Sequence, residues 1–558
     1  MESVGILINN SSSAKNKISA NGANSAVFAA ESQPDYYAVY SLGCKVNQYE
    51  AQKVAEQMER LGLRPLPRGA APAVVIINTC AVTAEAERKS RQQISRLRRN
   101  FPEAVLAVMG CQPQVSAPAD KKPANKAAAD IVIGTRYRDR LPDLIERFFT
   151  ELKQSGQRPA PLILTEDVNR VDADAPYEEI VGEFCDPPIS DTRALLKIQD
   201  GCNNFCSYCL IPLLRGRVKS RFPAEILAEA RHLLAAGKRE IVLTGIHICS
   251  YGKERQRSPE EKFGSWLDIC EQIAILSPQP ADRQVRADLS QPADRQVQVG
   301  STERSAGALR IAPAVQRSPS RAADEGEWRL RLGSLEPGSI DREAAERLAA
   351  LERLCPHFHL SLQSGSDRVL RRMRRKYTAA EYVAAVEELR AAFRPREVAI
   401  TTDVIVGFPG ESESDFAATL ELCRALEPAR IHVFPYSARP HTAAAGFADR
   451  VAPEVIRQRT GIMLDLAAEC AARTRERRLG QELHVLMETV SATADGLRGR
   501  GYSDTYDEVL ITGLPPEYGD HRLCEEMKRR GKWLRVWPNS YTETYLVAIF
   551  DTFSEAMC

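Results

Sequence analysis

Short apolar runs alternate with amphipathic stretches of helix length along most of this 558-residue chain. Parallel sheets with helices packed on their faces satisfy that rhythm, and few other folds do. The first series starts at Tyr36 with an apolar run (YYAVY), then a helical stretch with Val54, Met58 and Leu61 on one face, then a second run at 73–77 (AVVII). A charged helix near 84–99 and strands at 104–109 (AVLAVM) and 131–133 (IVI) continue it as an N-terminal parallel α/β domain. A second series begins near Ala194, with strands predicted at 194–198, 239–243, 328–333, 357–362, 397–406 and 430–434. Six strand–helix units suggest an incomplete eightfold barrel, a partial (βα)6, whose sites would lie at the carboxyl ends of its strands.

The rest of the chain divides around these two series. Residues 1–35 are rich in Ser, Asn, Ala and Lys without hydrophobic period and are predicted to be a disordered extension. The N-terminal domain is placed at 36–165, the barrel at 190–477 and a last domain at 478–558. A low-complexity insertion at 274–326, in which QPADRQV occurs twice, interrupts the barrel and reads as a surface insertion. After a charged helical stretch near 453–479, the segments ELHVLMETV, YDEVLIT and ETYLVAIF, with a Gly-rich turn region between the first two, suggest a small β-barrel. The 44% hydrophobic and 27% charged residues describe an ordinary globular chain and exclude global disorder. Basic and acidic residues nearly cancel, 75 against 74, so any nucleic-acid surface must be a local patch. No run approaches the about 20 apolar residues a bilayer span needs, and no secretory signal opens the chain. A cytoplasmic location and no membrane partner are therefore expected.

Fourteen cysteines in such a chain point to metal or catalysis before disulfides. The strongest local signal is Cys202-x3-Cys206-x2-Cys209, in DGCNNFCSYCLIP directly after the first strand of the second series. Three thiolates on one tight loop can hold three irons of a 4Fe-4S cube and leave the fourth open to a ligand. The competing reading is a zinc site completed by a distant residue such as His247, although zinc knots usually come as paired Cys-x-x-Cys units. A second set, Cys44 (YSLGCKVN), Cys80 (VIINTCAVT) and Cys111 (AVMGCQPQ), is spread along the sequence, yet each member follows a predicted strand. The carboxyl ends of neighbouring parallel strands face one crevice, so these loops can converge. The alternative is three inert buried cysteines. Cys185, Cys249, Cys270, Cys355, Cys423, Cys470, Cys524 and Cys558 show no ligand spacing.

The Cys202 motif, with Tyr208 before its third cysteine, resembles the signature of the radical S-adenosylmethionine (SAM) enzymes. LTG (243–245), SLEP (334–337), SLQSGSD (361–367) and DVIVGFPGE (403–411) are similar to that superfamily's cofactor wall. The resemblance implies SAM contacts at Tyr208, Thr244, Gly245, Ser334, Glu336, Gln363 and Gly407. From Tyr36 to Phe550 the chain resembles the methylthiotransferases, through SLGCKVNQYE, NTCAVTAEAERKSRQ, GCNNFCSYCLIP, HLSLQSGSD and HVFPYSARP. Membership implies a C-terminal TRAM domain that binds RNA and two 4Fe-4S clusters, an auxiliary one on Cys44, Cys80 and Cys111 and a radical-generating one on Cys202, Cys206 and Cys209. The branch these motifs resemble places a methylthio group on C2 of threonylcarbamoyladenosine at tRNA position 37, using one SAM for methylation and another for the radical. No protein acid or base is nominated, because the cofactor does the hard step. The implied partners are tRNA, an electron donor such as flavodoxin or ferredoxin, and a sulfur source.

Sister branches acting on isopentenyladenosine in tRNA or on an aspartate of a ribosomal protein share the same domains, and a zinc-containing RNA-binding protein is the non-enzymatic alternative. The sequence departs from the family at the insertion and at His441, where glycine is expected. Basic residues at Arg88, Lys89, Arg91, Arg96, Arg98 and Arg99, at 371–376 and at 528–530 are candidate phosphate contacts.

Overall fold

The computed structural model describes residues 36–67, 69–115, 129–165, 168, 192–255, 264–277, 327–520 and 532–550. Strands β1 (Tyr36–Ser41), β2 (Arg64–Pro65), β3 (Val74–Thr79), β4 (Val105–Gly110), β5 (Ile131–Ile133) and β6 (Leu162–Leu164) form one wholly parallel sheet, in the order β2-β1-β3-β4-β5-β6. Every residue of β3 and β4 is buried because helices cover both faces. Helix α1 (Lys45–Arg60) and the helix Leu141–Ser155 pack Val54, Met58, Ile145 and Phe148 on one face, and α2 (Ala84–Asn100) packs Ile94 and Leu97 on the other. The two- and three-residue strands β2 and β6 are additions to the strands expected from the sequence.

All six strands expected of the second series are present, as β7 (Arg193–Asp200), β9 (Glu240–Gly245), β10 (Arg329–Leu332), β12 (His357–Leu360), β13 (Ala399–Val406) and β14 (Arg430–Pro435). The short β8 (Lys219–Ser220) and β11 (Ser334–Leu335) join them. Hydrogen bonding divides this wall into two four-stranded sheets, β10-β9-β7-β8 and β11-β12-β13-β14, parallel except at β7–β8. A single apolar core runs behind both, from Leu196 and Leu243 through Leu332 to Leu360 and Val404. Successive side chains of a strand alternate in direction. Arg193, Lys197, Glu240, Arg329, Arg331, His357, His359 and Asp403 therefore share the opposite, inner face, which is polar.

The described start of the insertion lies against a residue just beyond its end, since Trp328 Nε1 donates to the Leu276 carbonyl at 3.3 Å. An insertion between them leaves the core undisturbed. All but the first residues of that insertion lie outside the described residues, as do the 1–35 extension, residues 528–530, Cys185, Cys524 and Cys558.

The last unit is a curled sheet of β15 (Leu483–Thr493), β16 (Gly496–Ser503), β17 (Glu508–Leu514), β18 (Lys532–Val536), β19 (Pro538–Tyr541) and β20 (Leu546–Ile549), in the order β18-β15-β16-β17-β20-β19. It has its own core around Val485, Ile511 and Leu546. The Gly-rich region read as a turn is in fact β16. Its glycines serve close packing, since a Cβ on Gly501 would lie 2.2 Å from the Leu486 carbonyl oxygen. The 26-residue helix Pro453–Arg478 leads into this sheet, and Arg478 ties it to Glu397 at 2.8 Å and Asp507 at 3.4 Å. His441, the departure from glycine, is exposed and holds φ at +68°, which is why glycine is the residue expected there. Among the described residues no helix is long and apolar enough to cross a membrane.

Candidate functional site

Three loops follow the adjacent strands β1, β3 and β4 and carry Cys44, Cys80 and Cys111. Cys44 is the N-cap of α1, and Cys111 opens the short helix Cys111–Val115. Close approach of the loops requires glycine at two places. A Cβ on Gly43 (φ +107°) would lie 2.7 Å from Cys80 Cβ, and one on Gly110 (φ +99°) 2.2 Å from Asn78 Oδ1. Asn47 Nδ2 donates to the carbonyls of Leu42 and Thr79, both at 2.9 Å, tying the first loop to the second. Thr79 Oγ1 donates to the Met109 carbonyl at 2.7 Å, tying the second to the third. Burial pushes the Cys80 thiol up to about 12, and the neighbouring Cys111 and Cys44 raise it further. Burial also raises Cys111, against the lowering effect of Arg215. These thiols stay protonated at neutral pH until a metal displaces the proton.

Arg215 comes from the second unit and joins a buried ionic group. It contacts Glu50 at 2.8 Å, Asp200 at 3.1 Å and Asn47 Oδ1 at 2.8 Å. Lys197 reaches Glu50 at 3.3 Å and Asp200 at 2.7 Å, and Arg138 reaches them at 3.2 and 3.5 Å. Burial works to raise the Glu50 carboxyl, yet Arg138, Arg215 and Lys197 hold it at about 2, and Asp200 is held well below the usual carboxylate range by the same cations. Three cations against two carboxylates leave one positive charge beside Cys111. An anionic thiolate centre satisfies that excess.

Asp200 ends β7, and the loop after it carries the other triad. The backbone N–H groups of Asn204 and Ile211 point at Cys202 Sγ and Cys209 Sγ, each at 3.4 Å, and Arg375 Nη1 points at Cys206 Sγ at 3.3 Å. Burial pushes Cys209 up to about 12, with Cys206 adding to it, and raises Cys202. Glu336 faces this loop, accepting from Asn204 Nδ2 at 2.9 Å and lying 2.8 Å from His247 Nε2 and 3.4 Å from Arg375. Its carboxyl, raised by burial, is brought to about 2 by His247 and Arg375. His247 is thus engaged by Glu336 and does not complete a zinc set with the cysteines.

Around the loop, Tyr208 is packed edge-on against Phe408 at 6.3 Å. Thr244 is buried at the end of β9, with Gly245 against the Gln199 side chain. Ser334 is exposed at the start of β11. Gln363 has φ +66° and bonds β13 through the Asp403 carbonyl at 2.8 Å. Gly407 faces Ile456 of the helix Pro453–Arg478, where a Cβ would lie 2.4 Å from Ile456 Cγ1, so its absent side chain serves helix packing.

Sequence analysis missed Arg375 by grouping it with a surface cluster. Arg372 of that run pairs with Asp449 at 2.7 Å, whereas Arg371, Arg374 and Lys376 are exposed. Several of the candidate phosphate contacts on α2 are also engaged: Arg88 pairs with Glu85 at 2.6 Å, Lys89 reaches Glu85 at 3.7 Å, Arg91 pairs with Glu87 at 2.5 Å, and Arg98 binds Asp130 at 2.5 Å and the carbonyls of Pro102 and Ala104. A run of charges carries no signal for which member turns inward.

The two triads adjoin. Cys111 packs with Ala81, Leu210 and Leu214, and Leu210 directly follows Cys209. Neither triad suits a single small ion. Sulfurs around one tetrahedral zinc are about 3.8 Å apart. Among the described residues, the His, Cys, Asp and Glu groups whose ligand atoms all lie within 4.8 Å of one another reduce to His359, Asp403 and His432. Neither cysteine triad is among these groups, so the sulfurs of each are spread more widely than the ligands of a single tetrahedral ion.

Residues 36–134 match the model of the uncharacterized protein family UPF0004, and residues 281–423 match that of the radical SAM superfamily. The chain is 32% identical over 516 residues to the threonylcarbamoyladenosine tRNA methylthiotransferase MtaB of Bacillus subtilis, covering 91% of this chain and 98% of that one. It is 32% identical to the MtaB of Thermotoga maritima, covering 85% and 89%. Identity to the tRNA-2-methylthio-N(6)-dimethylallyladenosine synthase of Carboxydothermus hydrogenoformans is 29%, covering 86% and 93%.

Proposed function

From the premise that this chain belongs to the radical SAM methylthiotransferases, we infer that it adds a methylthio group to C2 of N6-threonylcarbamoyladenosine at position 37 of tRNA. It is an enzyme that uses S-adenosylmethionine and 4Fe-4S clusters. The observation that supports the site assignment is the small apolar cluster that holds Cys111 of one triad together with Leu210, the residue after Cys209 of the other. Cys44, Cys80 and Cys111 would hold an auxiliary cluster, and Cys202, Cys206 and Cys209 the radical-generating one. When bound, this set supplies radical abstraction of hydrogen from an aromatic carbon and the sulfur that replaces it, chemistry no side chain can perform.

The chain's own residues orient and insulate the reaction. Arg375 and the Asn204 and Ile211 N–H groups stabilise charge on the cluster thiolates. Asn204, His247 and Arg375 fix Glu336 at the open side of the loop, where it can receive a SAM polar group; Tyr208, Thr244, Gly245, Ser334 and Gln363 are the further contacts proposed, while the role left to Gly407 is shape. The six strands β7, β9, β10, β12, β13 and β14 are read as a partial (βα)6 barrel within 190–477, the curled sheet as a TRAM-like RNA-binding domain within 478–558, and 36–165 as the auxiliary-cluster domain. SAM cleavage consumes an electron, so a low-potential donor such as flavodoxin or ferredoxin is required, along with a sulfur source. Work on tRNA fits a cytoplasmic location.

Exposed Arg96 and Arg99 on α2 remain candidate phosphate contacts. Neutralising both is expected to lower tRNA affinity and reduce the slope of log affinity against log salt by about 2. Neutralising Arg98 should instead lower stability, because Asp130 loses a partner. Filter binding at several salt concentrations separates the two.

The decisive experiment is nucleoside mass spectrometry of tRNA from a host lacking the activity, with and without this protein expressed. Appearance of 2-methylthio-threonylcarbamoyladenosine is the expected result. A methylthio group on isopentenyladenosine would overturn the choice of substrate, and unmodified tRNA would overturn the function.

A further inference from the structure

The inner face of the second unit carries more positive charge than its own carboxylates balance. Arg329 and Arg331 share Glu240 at 2.5 and 2.8 Å, and Arg193 takes Glu488 at 2.7 Å. Farther along, Asp403 is held by His359 at 3.1 Å. Lys45 enters this group from the first unit, immediately after Cys44. Among the described residues no carboxylate pairs with it at ion-pair distance; the Tyr506 ring lies 5.9 Å from Nζ, and Arg331, Arg193 and Glu240 act on the ammonium from the same face. Lys45, Arg193, Arg329 and Arg331 thus face Glu240 and Glu488 with two positive charges in excess.

Tyr506 marks the centre of this excess. It sits in the left-handed region at φ +69°, with Arg331 4.6 Å from its ring centroid and its hydroxyl accepting from Arg193 at 2.9 Å. Burial pushes its hydroxyl up, but Arg193, Lys45 and Arg331 bring it below the usual value. His357, 5.0 Å away ring to ring, is held neutral by burial and by Arg331 and Lys45 and adds no charge.

We propose that Lys45, backed by Arg331 and Arg193, is the subsite for the carboxylate of the substrate's threonylcarbamoyl group. The proposal rests on the functional reading above. A threonylcarbamoyl group carries a free carboxylate a few bonds from the adenine ring, whereas an isopentenyl group carries none. Lys45 lies next to a ligand of the centre that would deliver sulfur to that ring, so one residue separates the reacting end of the base from the recognition of its substituent. An anion here supplies the direct ion pair that Lys45 lacks, and an uncharged substituent would leave the ammonium without one, which is how a partly buried charge discriminates between substrates.

The test uses the full chain with its clusters reconstituted anaerobically. Three anticodon stem-loop RNAs are compared: one bearing threonylcarbamoyladenosine, one bearing its methyl ester, and one with plain adenosine. The wild type should bind the free acid more tightly than the other two. Lys45→Met should weaken binding of the free acid by roughly ten- to a hundredfold, to the level of plain adenosine, while leaving the other RNAs unchanged. Lys45→Arg should retain most of the preference. Iron and sulfide content and the cluster absorbance, unchanged in both variants, show that Cys44 is undisturbed. A preference that survives in Lys45→Met, or a methyl ester bound as tightly as the acid, overturns the subsite. Equal weakening for all three RNAs would mean that Lys45 meets a backbone phosphate, and also overturns it. If the wild type neither prefers nor methylthiolates the threonylcarbamoyl RNA, the functional reading itself fails.

Discussion

Cys206→Ala is expected to abolish 5′-deoxyadenosine formation from SAM and to lower bound iron from about eight to about four per chain. Burial disfavours ionisation of Cys202 and pushes Cys209 up to about 12, so at these two positions metal binding and thiolate formation are one event. Removing one of three ligands leaves the others to hold a cube that already lacks a fourth. Cys44→Ala should behave differently: SAM cleavage continues, the methylthio product is lost, and iron falls by a similar amount. Anaerobic iron analysis together with chromatography of both products distinguishes them. Persistent 5′-deoxyadenosine in Cys206→Ala would sink the assignment of that loop, and loss of cleavage in both would mean that the two centres are not separate.

Arg215→Met is expected to lower stability by about 3–5 kcal/mol, read as a shift in the urea unfolding midpoint of the reconstituted protein. The substitution leaves Glu50 and Asp200 buried with Arg138 and Lys197 alone, and removes the charge nearest Cys111. The same group sets the response to acid. Glu50 is held at about 2 in the folded chain and returns to about 4.3 on unfolding. Its stabilising contribution is therefore complete above about pH 5 and lost as pH falls toward 2, a total of order 3 kcal/mol. In Arg215→Met two cations rather than three hold Glu50, so the loss on acidification should be smaller. A midpoint that responds to acid equally in both proteins would contradict the role given to Arg215.

The same interactions show what was legible before any coordinates. The strands β3, β4, β7, β9 and β13 were readable because each is a run of apolar or alternating residues long enough to display its period. The Cys202 loop was readable because its ligands lie within eight residues of one another in the chain. Local order of this kind is written in local sequence, and so is the family resemblance carried by contiguous motifs. The convergence of Cys44, Cys80 and Cys111 was only a possibility until the order β1-β3-β4 placed their loops side by side. Tertiary structure alone decided the rest. It turned Arg375 toward Cys206 and Glu336 while Arg371, Arg374 and Lys376 stayed in water, and it spent Arg98 on Asp130. It converted the Gly-rich stretch into β16, because a neighbouring strand needed the room of the missing side chains. It brought Glu50, Arg138, Lys197, Asp200 and Arg215 from separate segments into one buried group, and set Lys45 beside Arg193, Arg331 and Tyr506. A charge's partner is chosen by distance and burial, which depend on how whole sheets stack, whereas a strand or a ligand loop depends only on its nearest neighbours in the chain.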